Sequence, residues 1–333
     1  MNAKMPDADL KQQLAAAASL HLGKPVEILN LRRLSGGASA ESWWLDLKSN
    51  TGILEAILRR SSVQSTERMA TSISKTAEAA VQKLAFHAGI PVPKIVFELV
   101  PEDALGEGYV MTRLQGESLP QKILRDDSFA NARQQLTAQC ANTLAKIHQI
   151  PIDSLQQTLP TQPALTQLAV LEAMFRDYRQ ELPVFEYAFR WLKQHAPQAE
   201  TLTLIHGDFR NGNLMVGPQG INGVLDWELA HIGDPMEDLG WLCVNSWRFG
   251  NVNSPVGGFG QKEELFACYE KASGVSVDPN AVNYWQAFGT LRWGVICLFQ
   301  AHTHLSGQQQ SIELAAIGRR VSETEIDLLD IIT

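Results

Sequence analysis

Leu204-Ile205-His206-Gly207-Asp208-Phe209-Arg210-Asn211-Gly212-Asn213-Leu214-Met215, followed by Val224-Leu225-Asp226-Trp227-Glu228, sets short apolar runs against two polar clusters. Such runs read as buried strands that deliver a loop. Asp208 and Asn213 lie five positions apart, and Asp226 follows thirteen later, after a turn expected at Pro218-Gln219-Gly220. One carboxylate can orient a hydroxyl, and a second can hold Mg2+ together with an amide oxygen. Phosphoryl transfer needs that set, because its catalysis is mostly positioning and charge neutralisation.

Protein kinases carry H-R-D-x-x-x-x-N and then D-F-G. The same spacing here runs from His206-Gly207-Asp208 to Asn213 and then to Asp226-Trp227-Glu228. The H-G-D form resembles the aminoglycoside phosphotransferase and choline kinase branch of kinase-like folds. Within that branch it is most similar to the phosphotransferase domains found beside acyl-CoA dehydrogenases. The tail Leu314-Ala315-Ala316-Ile317-Gly318-Arg319-Arg320 carries the same likeness. The competing structural reading is a polar turn between two core strands, with Asp208 and Asp226 as caps.

The resemblance implies an α+β, two-lobed, protein-kinase-like fold. Residues 1-115 would form an N-lobe with a mostly antiparallel five-stranded sheet plus helices. Residues 116-333 would form a mainly helical C-lobe with the catalytic loop, metal site and acceptor pocket.

The chain upstream fits that plan. Asp9 to Leu22 has helical periodicity and stops at Gly23-Lys24-Pro25. Three strand-like runs follow, Val26 to Leu34, Glu41 to Leu47 and Ile53 to Arg60, with a hairpin signal at Lys48-Ser49-Asn50-Thr51-Gly52. Ser35-Gly36-Gly37-Ala38-Ser39 is the candidate phosphate-covering loop, since glycine lets backbone N–H groups approach phosphate closely. It matches neither a Walker A loop nor a full G-x-G-x-x-G.

Kinase-like folds put a lysine on the third strand, paired to a helix glutamate. Here the strand ends Ile57-Leu58-Arg59-Arg60, and the next expected helix, Thr71 to Ala88, offers Glu78. Arginine is not a conservative replacement for lysine, but a guanidinium binds phosphate well. An L-R-R ending is usual in the resembled branch. Arg59 is preferred over Arg60, which would point to the opposite strand face. Lys94 to Leu99 and Gly108 to Leu114 complete five strands. Met111-Thr112-Arg113-Leu114-Gln115-Gly116 is then the expected hinge, with Met111 packing on adenine and the hinge's backbone N–H and C=O groups reading its edge.

The second lobe reads as helices at Ser128 to Gln149, Leu165 to His195 broken at Pro183, Gln261 to Ser273, Val282 to Leu305 and Glu313 to Ile332. Asp234 precedes Pro235 as a helix N-cap, and Asp238 falls on that helix's first turn; both read as structural braces. Arg292, inside an apolar stripe, has two readings: a buried brace or an anion-reading group for the acceptor. His302-Thr303-His304 lacks a third metal ligand nearby.

Together these readings imply ATP, with GTP not excluded, and Mg2+. Asp208 would be the base and Arg210 would neutralise γ-phosphate charge. Asn213 and Asp226 would hold metal. Ser35, Gly36, Gly37, Arg59, Glu78, Met111 and Arg113 would contact or brace the nucleotide. The acceptor would be a small-molecule hydroxyl: aminoglycoside, amino alcohol, sugar or hydroxyacyl-CoA. The alternative is a catalytically inactive nucleotide-binding regulatory module. An expected protein kinase is disfavoured, since no A-P-E segment or activation loop is visible.

The 333 residues and net charge of −8 suit two lobes and argue against nucleic acid as a partner. Apolar stretches are too short to cross a membrane and the first nine residues lack a signal-peptide core. Cys140, Cys243, Cys268 and Cys297 are scattered, as expected of buried thiols in a cytoplasmic protein. No motif encodes the oligomeric state.

Overall fold

The computed structural model describes residues 7–34, 40–61 and 72–333. The proposed phosphate-loop positions Ser35, Gly36 and Gly37 lie outside the described residues. The chain divides into two compact units, one of residues 1–116 with 222–230, the other of residues 117–221 with 231–333. The sequence division at 115 and 116 therefore misses one excursion: the Asp226 segment belongs to the first unit. Backbone bonds tie it there, from Val224 N to Pro91 O (2.8 Å) and from Ile73 N to Glu228 O (2.9 Å).

In the first unit, α1 (Asp7–Leu22) precedes β1 (Glu27–Arg33), β2 (Ala40–Ser49) and β3 (Gly52–Ser61). Then come α2 (Lys75–His87), β4 (Ile95–Glu98) and β5 (Gly108–Thr112). The sheet order is β1-β2-β3-β5-β4, with every neighbouring pair antiparallel. Leu10, Leu14, Ala17 and Ala18 of α1 share a core with Ile28, Trp43, Leu45, Leu47, Ala56, Leu58, Phe97 and Val110. Burying one such aliphatic side chain contributes roughly 1.5–3 kcal/mol. The side chains at 43, 45 and 47 face inward while those at 44 and 46 are half-buried, as a two-residue period requires.

Helix α2 starts four residues later than its periodicity suggested. Ser74 caps it, its hydroxyl accepting from Ala77 N at 3.1 Å. That cap fixes Lys75 and Glu78 in the helix's opening turn.

In the second unit, α3 (Pro120–Arg125), α4 (Ala130–His148), α5 (Ala164–Asp177) and α6 (Pro183–Gln194) come first. The break between α5 and α6 falls at Pro183, which opens α6. Next are β6 (Thr203–Ile205), β7 (Leu214–Gly217), β8 (Gly220–Val224), within which the chain passes back to the first unit, and β9 (His231–Gly233). Helices α7 (Met236–Leu242), α8 (Lys262–Ser273), α9 (Pro279–Leu305), α10 (Ile312–Gly318) and α11 (Val321–Ile332) finish the chain. Helix α4 packs on α8, and α9 packs on α7, α10 and α11. The α7–α9 contact is close enough that a Cβ on Gly240 would stand 2.6 Å from Trp285 Cβ and 2.8 Å from Gln286 N.

Among the described residues, no helix is long and apolar enough to cross a membrane. Cys140, Cys243 and Cys297 are buried free thiols, whereas Cys268 is only partly buried. Burial pushes the Cys243 thiol up to about 11 and the Cys297 thiol up to about 12.

Candidate active site

Strands β6 and β9 pair antiparallel, Ile205 opposite His231, and the chain leaves β6 directly into His206-Gly207-Asp208. The loop from 206 to 213 is held from within the second unit. Asp238, fully buried on α7, accepts from His206 N at 2.8 Å and from Gly207 N at 3.0 Å. His148 Nε2 lies 3.2 Å from the same carboxylate, and its Nδ1 is 2.8 Å from the Tyr269 hydroxyl. Burial alone would raise the Asp238 carboxyl, but the His148 bond, the nearby imidazoles and the backbone donor outweigh it and set it below its ordinary value.

The His206 ring braces the turn: Asp208 N donates to His206 Nδ1 at 3.1 Å. Phe209 is fully buried, anchoring the loop between its two polar ends. Asn211 Nδ2 donates to Gly257 O at 2.9 Å. Gly207 and Gly212 have φ of 77° and 117°, which L side chains rarely adopt.

These supports present Asp208 as the loop's half-buried acid. Its Oδ1 accepts from Trp241 Nε1 (2.9 Å) and Arg210 Nε (3.0 Å). Its Oδ2 accepts from Asn213 Nδ2 (2.5 Å), which also reaches Asp208 O at 3.0 Å. Three donors on one carboxylate fix its rotamer. With its amide nitrogen so used, Asn213 has its carbonyl oxygen to offer a metal.

Aromatic rings and arginines flank this acid. Trp241 and Trp247 have centroids 5.2 Å apart, and Trp247 and Trp293 are 5.0 Å apart. Arg210 lies 4.5 Å over Trp247, Arg292 lies 4.9 Å over Trp241, and Arg320 lies 5.7 Å over Trp293. Arg292 also donates to Gly207 O at 3.2 Å. No carboxylate is among these Arg292 contacts, so its bracing partner is a carbonyl and a ring.

The first unit holds a second constellation. Asp226 has φ of 67°, a left-handed backbone that costs a non-glycine residue about 1 kcal/mol or more. Its Oδ1 accepts from Arg59 Nη2 at 2.5 Å, and Glu228 Oε2 accepts from the same nitrogen at 2.9 Å. Arg59 Nε stands 2.8 Å from Glu78 Oε1, an ion-pair contact although its N–H does not point along that line. The Tyr109 hydroxyl donates to Glu78 Oε1 at 2.9 Å. Burial would lower the Arg59 basicity, yet Glu78, Asp226, Tyr109 and Glu228 together raise it. Arg60 turns to the other face, where its guanidinium meets Glu41 at 3.0 Å.

Met111 is half-buried, its sulfur 3.6 Å from Gln82 Nε2. Two backbone N–H groups of the expected hinge are engaged. Thr112 N donates to Lys94 O (2.9 Å) and Arg113 N to Glu55 O (3.0 Å). The Arg113 guanidinium is paired with Glu55 at 3.0 Å and lies 4.5 Å over Trp44.

Asp234 differs by one position from its sequence reading. Pro235 is the N-cap of α7, and the Asp234 carboxylate accepts from Met236 N at 2.9 Å and Trp285 Nε1 at 2.8 Å. Three residues of the two constellations are not among the partners expected from the sequence: Trp241, Lys75 and Glu228. Trp241 sits 33 positions from Asp208, and nothing local announces that bond. Lys75 sits one helical turn before Glu78, a spacing that could have been noticed.

Residues 30–275 match the model of the phosphotransferase enzyme family. That match spans most of the chain. The chain belongs to the phosphotransferase enzyme family. Among curated members of similar sequence, acyl-CoA dehydrogenase family member 11 of Homo sapiens is 29% identical over 273 residues, covering 74% of this chain and 34% of that protein. The chain thus spans about a third of the length of the curated relatives it matches. Two solved phosphotransferases share the fold. A putative aminoglycoside phosphotransferase of Ralstonia eutropha aligns with a TM-score of 0.73 at 19% identity, over 96% of this chain and 97% of that one. A spectinomycin phosphotransferase, solved with ADP and spectinomycin, aligns at 0.66 and 12% identity, over 96% and 98%. The phosphotransferase fold is the two-lobed kinase-like plan expected from the sequence, with a five-stranded antiparallel sheet and a helical second unit.

Proposed function

We propose that this phosphotransferase moves the γ-phosphoryl group of ATP, with Mg2+, to a hydroxyl of a small molecule. The observation that carries the reading is the threefold grip on the Asp208 carboxylate by Trp241, Arg210 and Asn213. A carboxylate so fixed can accept a hydroxyl's hydrogen bond in one direction only, which is what in-line attack needs. The acceptor hydroxyl bonds Asp208, passes its proton to that carboxylate as the new O–P bond forms, and ADP leaves with the bond to its β-phosphate oxygen broken. Arg210 is the residue proposed to neutralise charge as it develops on the transferred group.

Asp226 and Asn213 are the proposed Mg2+ ligands. Their oxygen donors are the hard type this ion prefers, and the direction of the Asn213 amide suits the role. Bound Mg2+ would offset charge on the phosphates. Arg59, braced by Glu78, is the proposed contact for the phosphates that stay behind. Ser35, Gly36 and Gly37 remain the proposed phosphate loop, and Met111 the ring contact. At Arg113 only the backbone carbonyl is assigned to the base, because its N–H is engaged. The relative solved with ADP supports a nucleotide; GTP stays in the test panel.

For the acceptor we favour a hydroxyacyl compound. Arg210, Arg292 and the tryptophans beside Asp208 suit a molecule with an anionic or apolar body better than a polycation. The name of the human relative, an acyl-CoA dehydrogenase family member, points the same way. A cytoplasmic setting accords with the buried free thiols. The competing reading, a nucleotide-binding module without transfer, draws on the three carboxylates that already occupy Arg59.

The test is a screen of hydroxyacyl thioesters, amino alcohols, sugars and aminoglycosides with Mg-ATP and Mg-GTP, read by mass of the product. Phosphorylated hydroxyacyl product is expected. Nucleotide binding without transfer to any hydroxyl would favour the inactive module.

A further inference from the structure

Lys75 is 4% exposed, among the most deeply buried amines a folded chain tolerates. A buried ammonium must be paired, and this one is. Its Nζ donates to Glu78 Oε2 at 2.5 Å and stands 3.6 Å from Glu228 Oε2. Glu78 thus divides its carboxylate, Oε2 to Lys75 and Oε1 to Arg59 and Tyr109. Glu228 likewise faces both cations. Among the described residues, the cluster thus holds two cations, Arg59 and Lys75, and three carboxylates, Glu78, Asp226 and Glu228. Two tethers fix it: the Ser74 cap at the start of α2 and the Ile73 N to Glu228 O bond.

A phosphate group arriving at Arg59 must compete with these carboxylates for guanidinium N–H groups and endure their repulsion. Without Lys75, the pull of Glu78 and Glu228 on Arg59 would rise.

We infer that Lys75 is a positioning residue for nucleotide phosphates: its ammonium carries the charge of Glu78 and Glu228, so that Arg59 can engage phosphate. The inference rests on the functional reading above. It assigns no contact between Lys75 and the nucleotide.

The experiment measures Mg-ADP and adenosine binding by calorimetry to wild type, Lys75→Met, Lys75→Arg and the double variant Lys75→Met/Glu228→Gln. Lys75→Met should weaken Mg-ADP by about tenfold and leave adenosine unchanged, because only the phosphates feel the charge. Lys75→Arg should retain affinity within about threefold, as should the double variant, in which one carboxylate is neutralised along with the cation. A merely structural lysine would not be rescued by removing a carboxylate. If Lys75→Met does not fold, the other two variants carry the test alone. Equal Mg-ADP affinity in wild type and Lys75→Met, equal losses for both ligands, or no recovery in the double variant would overturn the inference. A wild-type chain that binds no Mg-nucleotide would instead overturn the functional reading, and this inference with it.

Discussion

Trp241 Nε1 donates to Asp208 Oδ1 at 2.9 Å, joining a helix in the second half of the chain to the acid of the H-G-D loop. The same helix supplies Asp238, which holds the backbone of His206 and Gly207. One element thus sets both the loop's path and its reactive carboxylate. Trp241→Phe keeps the ring and removes the donor. A hydrogen bond to a charged group is worth about 1.5–3 kcal/mol. The variant should lower kcat by roughly tenfold or more with little change in the KM for nucleotide. Steady-state kinetics against both substrates checks this; unchanged kcat would remove Trp241 from the site.

Asp226→Ala and Asp226→Gly separate chemistry from strain. Both should weaken Mg-nucleotide binding strongly, since both lose the carboxylate. Glycine should be the more stable of the two by about 1 kcal/mol, because φ of 67° costs it nothing. Calorimetry with Mg-ADP and thermal melts of both variants give the answer. An alanine variant as stable as the glycine one would mean the strain is relieved by a backbone shift.

Acid should act on the Asp238 brace late. Its folded carboxyl lies below its ordinary value, so its stabilisation is complete above the usual carboxylate range and is lost only as pH falls through the lower, folded value. Asp234 runs the other way. Burial raises its carboxyl despite the Trp285 and Met236 bonds, so its contribution weakens as pH rises from the ordinary to the folded value. Asp238→Asn should cost about 1–3 kcal/mol at neutral pH, through loss of a carboxylate oxygen that accepts from the His206 and Gly207 backbone. Denaturant melts across pH 3 to 7 should show the wild-type advantage over Asp238→Asn shrinking only at the acid end.

Gly240→Ala tests the contact that seats α7. A Cβ there would meet Trp285 Cβ at 2.6 Å and backbone at 2.8 Å, so neither neighbour can yield cheaply. Destabilisation of about 1–3 kcal/mol is expected by chemical denaturation. Turnover should fall as well, because Asp238 and Trp241 flank that residue.

Much of this was legible beforehand. The polar hairpin signal after β2, the stop at Pro183 and the opposite faces of Arg59 and Arg60 are local rules of turn chemistry and two-residue alternation. The H-G-D spacing works because the loop is continuous in sequence. What escaped is long-range. The Asp226 segment returns to the first unit through backbone bonds to Pro91 and Ile73, which no periodicity encodes. The Trp241 ring is buried, but its one polar atom is what meets Asp208. Lys75 reads as an ordinary charge at a helix start until its burial is known. Position along the chain marks the hinge, but not that its Thr112 and Arg113 N–H groups bond the Lys94 and Glu55 carbonyls.

The most direct measurement follows labelled γ-phosphate from Mg-ATP to a hydroxyacyl acceptor, in wild type and in Asp208→Ala. A positioned base is worth about 10²–10⁴-fold, so the account predicts transfer by wild type and a loss of that size in the variant, with Mg-ADP affinity largely kept. Turnover by Asp208→Ala within about threefold of wild type would contradict it.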